Sequence, residues 1–117
     1  MVFTGISKDF LLTNERQYET IGRFWDEMEL KYGLENLQGL GYRWDGCIIS
    51  YAIGLKNGRI EGSNLSIPLP DDGWEKVTGK TVNLKQMYDE IYKYGPLQYE
   101  IETFYEDGKC EILYRRT

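Results

Sequence analysis

Apolar residues return at steps of three and four from Tyr18 through Ile21, Trp25 and Met28 to Tyr32, the spacing of one helical face. The same steps link Leu84, Met87, Tyr88, Ile91 and Tyr94. Each run opens on N-x-x-Q, at Asn14 to Gln17 and at Asn83 to Gln86. That resembles a capping box, in which the Asn oxygen accepts a free N–H and the Gln reaches back to the cap. Each run closes on Lys-Tyr-Gly, with Gly33 and Gly95 as stops, because glycine enters the left-handed region at least cost. Pro96 then bars continuation. From cap to glycine the first segment is seven residues longer, about two turns. Strand-like runs occupy 2–7, 41–44, 47–55, 74–80, 99–105 and 110–114. Asp45-Gly46 and Asp107-Gly108 are turn dipeptides inside two predicted hairpins.

These elements form one sequence twice: strand, helix, strand, strand. Lys31-Tyr32-Gly33 and Lys93-Tyr94-Gly95 lie 62 residues apart, and so do Asp45-Gly46 and Asp107-Gly108. A common spacing across two separate motifs argues for a duplicated unit. The predicted fold is α+β: a duplicated strand-helix-strand-strand module with pseudo-two-fold symmetry, mainly antiparallel sheet with two helices. Residues 1–117 make a single domain, with half-repeats at about 1–55 and 74–117. The Gly-, Asn-, Ser-, Pro- and Asp-rich stretch 56–73 reads as the connector, and Pro68 and Pro70 keep it from being a central strand. Two halves that share a core create a seam, a common place for a ligand.

Aromatic residues are 15% of the chain, too many for a disordered segment. Net charge is -5 and no long Lys/Arg run is present, which argues against direct nucleic-acid binding. The chain has no histidine, which removes Ser-His, Cys-His and His-metal chemistry. Cys47 and Cys110 alone make a poor zinc site. They read as reduced core thiols, so no metal or cofactor is expected. No apolar run reaches spanning length and no signal-peptide pattern opens the chain, so a cytoplasmic protein with no membrane partner is expected.

Candidate chemistry sits where the halves differ. Glu100 and Glu102 share one strand face, and the 62-residue spacing equates them with Gln38 and Leu40. They are either a solvated strand face or carboxylates held in an aromatic cleft. In the cleft they would favour a cation or act as a general acid/base pair. Tyr51 and Tyr114 are ordinary core residues or a matched aromatic pair at the seam. Trp25 reads as core and Trp44 as a shield for the hairpin end. Trp74, behind Asp71-Asp72-Gly73, either walls the cleft or packs across strands.

The chain resembles the GyrI-like small-molecule-binding domain, the module that serves bacterial multidrug-responsive transcription activators as effector-binding domain. The resemblance runs through Ile21-Gly22-Arg23-Phe24-Trp25, Ser50-Tyr51-Ala52-Ile53-Gly54-Leu55 and Ile67-Pro68 leading to Gly73-Trp74-Glu75-Lys76-Val77. It continues through Met87-Tyr88-Asp89-Glu90-Ile91-Tyr92, Tyr99-Glu100-Ile101-Glu102 and Cys110-Glu111-Ile112-Leu113-Tyr114. It implies a central aromatic pocket for lipophilic, cationic small molecules. Glu100 would face the ligand, with Glu102 beside it and Tyr51, Trp74 and Tyr114 as walls. Tyr94-Gly95-Pro96-Leu97 departs from the family's usual stretch after the second helix, which shortens one wall. The chain also contains no helix-turn-helix segment. The expected function is therefore a stand-alone binding domain. The alternatives are a small hydrolase of strained electrophiles using a pocket glutamate, or a protein-interaction module such as a gyrase modulator. Edge strands leave a protein partner or a homodimer open.

Overall fold

A computed structural model describes residues 1–117. The elements follow in the order β1 (Val2–Leu11), α1 (Gln17–Tyr32), β2 (Leu37–Asp45), β3 (Ile48–Leu55), β4 (Leu65–Pro68), β5 (Trp74–Lys80), α2 (Leu84–Tyr92), β6 (Leu97–Phe104) and β7 (Lys109–Arg116). The fold is α+β: two helices and one seven-stranded sheet in the order β4-β1-β3-β2-β6-β7-β5, every pairing antiparallel. In each half the third strand lies between the other two, and β2 meets β6 at the middle. No helix is long and apolar enough to cross a membrane.

The helix signals in the sequence are right in place and partly wrong in mechanism. Helix α1 buries Phe24, Trp25 and Met28 and stops at Gly33, whose φ of 84° suits glycine. Helix α2 starts after Asn83 and buries Tyr88 and Ile91. Tyr94 lies beyond its end and is exposed. Neither capping box forms. Asn14 and Glu15 adopt φ of 56° and 59° in a short 3-10 turn, so Arg16 becomes the cap and no side chain bonds the helix end. Asn83 caps by position only. The lengths, 16 and 9 residues, keep the seven-residue difference.

The hairpins differ from each other. Asp45 pairs with Ile48, so the first loop is Gly46 and Cys47, with Gly46 at φ 61°. Phe104 pairs with Cys110, and the second Asp-Gly lies within a longer loop. The repeated dipeptide therefore marks different points on the two ribbons. Cys47 stands exposed at the loop and only Cys110 is buried, which corrects the expectation of two core thiols. The stretch 56–73 is more than a connector. It contributes β4, which pairs with β1 at the sheet edge as its Pro68 requires, and it buries Ile60 and Leu69.

The sheet divides the core. On the helix side, Phe24, Trp25 and Met28 of α1 pack with Leu37, Tyr51, Ile53 and Phe104, while Tyr88 and Ile91 of α2 pack with Leu97 and Ile112. On the other side, Phe3, Leu40, Ala52, Leu69 and Ile101 form a separate cluster.

Candidate functional site

Strand β6 sets the site by alternation. Ile101 joins the back cluster, so Glu100, Glu102 and Phe104 face the helices. Across the centre, Glu100 opposes Gly41 and Glu102 opposes Gly39. Gln38 and Leu40 therefore lie on the other face. The 62-residue spacing is one residue out of register with the strands, and a one-residue slip reverses every side chain. The glycines make room for the glutamates. A Cβ on Gly41 would come within 2.7 Å of Glu100 Cγ and Oε1, and one on Gly39 would overlap Tyr51 Oη.

Both carboxylates are buried, each 4% exposed. Tyr51, from β3, donates its hydroxyl to Glu102 Oε1 and accepts from Trp25 Nε1 at 2.8 Å. Tyr88, from α2, donates to Glu102 Oε2 at 2.7 Å. Tyr92, one turn later, donates to Glu100 Oε2 at 3.0 Å and stacks on Tyr88 with ring centres 5.7 Å apart. Glu102 thus has both oxygens occupied by hydroxyl donors, whereas Glu100 accepts from one.

No lysine or arginine lines the space around the pair. Burial raises the pKa of both groups. The charge of Glu102 raises Glu100 further, to well above its ordinary value, and the tyrosine hydroxyls oppose the rise only in part. Two nearby carboxylates of this kind resist double ionisation. Glu102, better supplied with hydroxyl donors, is raised less, and Glu100 is the carboxyl held well above its ordinary value. Burial and the same negative field raise Tyr51, Tyr88 and Tyr92. Tyr18, shifted by burial and then by Asp89 and Glu100, is pushed up to about 12.

The pair opens onto a cavity of about 770 Å³ between α1, α2 and the sheet. Tyr18, Ile21 and Trp25 of α1 line it, as do Leu84, Tyr88 and Tyr92 from α2 and Phe104 from the sheet. Trp25 meets Phe104 edge-on at 4.8 Å between ring centres. Exposed Asp26, Glu29 and Glu106 form part of the rim. No group of three or more His, Cys, Asp or Glu is arranged to hold a metal ion.

The structure brings Glu100, Glu102 and Tyr51 together on the cavity wall. It does not bring Trp74 or Tyr114 there. Trp74 packs with the back cluster, stacks on Tyr99 at 6.1 Å and donates Nε1 to Pro70 O at 2.8 Å. Its strand alternation points the ring away from the helices. Tyr114 opposes Glu100 on β7 but packs beneath α2, with Arg116 5.1 Å above its ring. Neither lines the cavity. Sequence reasoning missed Tyr88 and Tyr92 as partners of the glutamates and placed Trp25 only in the core. The signal was present: Tyr88 and Tyr92 are four apart on α2, hence on one face. No family model, curated protein or solved structure matches the chain.

Proposed function

We propose that this protein binds lipophilic organic cations in the cavity between its helices and its sheet. The observation that carries the proposal is a pair of buried carboxylates among aromatic rings with no basic side chain lining the space. An ionised carboxylate without a positive partner is costly to bury, and a ligand cation supplies that partner. Tyrosine and tryptophan faces add cation–π attraction. A volume of about 770 Å³ falls within the range of drug-sized ligand sites. The resemblance to GyrI-like domains implies the same ligand class.

Glu100 is the residue that meets the charge. Glu102 has both oxygens bonded, by Tyr51 and Tyr88, while Glu100 takes its direct hydrogen bond from Tyr92 at Oε2. Burial and the charge of Glu102 make Glu100 keep its proton to higher pH than an ordinary carboxyl, and where that proton is present a bound cation displaces it. Affinity therefore increases as pH rises through the Glu100 titration of the free protein.

Tryptophan fluorescence, with Trp25 and Trp44 on the cavity wall, reports binding directly. In titrations with a panel of cationic dyes, the native protein and Trp74→Phe bind alike. Glu100→Gln binds at least about tenfold more weakly, the loss of roughly one charged hydrogen bond. Equal binding by native protein and Glu100→Gln, or no binding of any dye, refutes the proposal.

A further inference from the structure

The lining of the cavity is uneven along its length. On β6, Glu100, Glu102 and Phe104 follow one another on the same face, and Glu106 comes next in the loop. At about 3.3 Å per residue, Phe104 lies roughly 13 Å from Glu100, and Glu106 lies farther on. Helix α1 packs on β1 and β3 across the cavity, and its Trp25 meets Phe104. Tyr18 is close enough to Glu100 to feel its charge, and Glu29 follows eleven residues later, about 16 Å along the axis. On β6 the acids thus fall at two ends, Glu100 and Glu102 within and Glu106 outside, while on α1 Asp26 and Glu29 lie about 12–16 Å beyond Tyr18. Ile21, Trp25 and Phe104 occupy the span between.

The outer end is acidic and unpaired. Asp26, Glu29 and Glu106 are exposed lining residues, and none takes part in an ion pair, although other carboxylates on the surface do. The inner end has its own unmet demand. Gln17 Oε1 is buried, lines the cavity beside Tyr18 and receives no hydrogen bond. A buried acceptor without a donor is destabilising, and a ligand N–H satisfies it.

We infer that the ligand is an elongated dication, with one N–H-bearing nitrogen at Glu100 and Gln17 and a second positive end at Asp26, Glu29 and Glu106. An apolar middle lies along Ile21, Trp25 and Phe104. This rests on the cation-binding proposal and adds the ligand's second charge, its length and the N–H at its inner end. A monocation of the same length satisfies one acidic end and leaves the other facing water.

The test uses three ten-carbon probes: decylamine, aminodecanol and decane diamine. Calorimetric titration compares the native protein with a variant carrying Asp26→Asn, Glu29→Gln and Glu106→Gln. These three side chains are exposed, so circular dichroism and melting curves of the variant should match the native protein. The diamine is expected to bind native protein up to about fivefold more tightly than aminodecanol. In the variant that advantage disappears, while decylamine affinity stays within about twofold. A diamine no better than aminodecanol overturns the dication inference while leaving cation binding intact. Equal weakening of decylamine and diamine in the variant also overturns it, because the rim then acts only as a general attraction. Failure of all three probes to bind overturns this inference, while the dye titrations decide the cation-binding proposal separately.

Discussion

Replacing Glu100 with Gln should change how stability depends on pH. In the unfolded chain this carboxyl ionises near pH 4.5, its ordinary value; in the folded protein it keeps its proton to a much higher pH, first because it is buried and second because Glu102 is negative. Between those two points the native state holds more protons than the unfolded state. Stability therefore falls as pH rises. The contribution is fully present below about pH 4.5 and is lost as pH climbs through the folded value. A difference of one whole proton is worth about 1.4 kcal/mol per pH unit. For 117 residues, an unfolding entropy near 2.1 cal/mol/K per residue gives roughly 0.25 kcal/mol/K. The native Tm should then drop by about 5.5 °C per pH unit relative to Glu100→Gln inside the window. Gln still accepts from Tyr92, so the variant keeps that bond. Circular dichroism melts of both proteins at steps from pH 4 to pH 8 provide the comparison. Parallel curves, or a native Tm that gains on the variant as pH rises, would refute the argument that Glu100 is a protonated buried acid.

Tyr51→Phe removes the donor to Glu102 Oε1 and the acceptor for Trp25 Nε1, and urea unfolding should show a loss of about 2–4 kcal/mol because two buried groups lose partners. Gly39→Ala places a methyl group against Tyr51 Oη and within 2.9 Å of Trp25; it should cost about 1–3 kcal/mol by the same assay. Gly22→Ala, at a helical position with nothing within 4 Å of the added carbon, should instead stabilise by up to about 1 kcal/mol.

Local chemistry made most of the architecture legible. The strand Trp74–Lys80 falls where alternation put it, and Gly33 ends α1 as its freedom at positive φ suggests. Signals that depend on competition between neighbours were less secure. Asn14 offered a cap, but the chain turns at Asn14 and Glu15 before the helix begins. Strand β4 was hidden because Leu65–Pro68 is short and contains proline, and only its pairing with β1 makes it a strand. The site was half legible. Alternation alone put Glu100 and Glu102 on one face. Their register with β2 was not, because the hairpin loops differ in length. The tyrosine donors were out of reach for a more general reason. Tyr88 and Tyr92 meet the glutamates through the docking of α2 on the sheet, and sequence spacing carries no information about that approach. Trp74 misled because adjacency to an acidic turn does not specify a side of the sheet.

The cluster of Phe3, Leu40, Ala52, Leu69 and Ile101 behind the sheet bears on how the front can be built. A chain this short has little apolar surface to spare, yet it leaves a hollow between helices and strands. The rear cluster supplies cohesion that does not pass through that hollow and fixes the strands from behind. Side chains around the void are thereby freed from the task of filling it. The fold can alter the shape of its interior by exchanging residues on one side, while the opposite side keeps the framework in register.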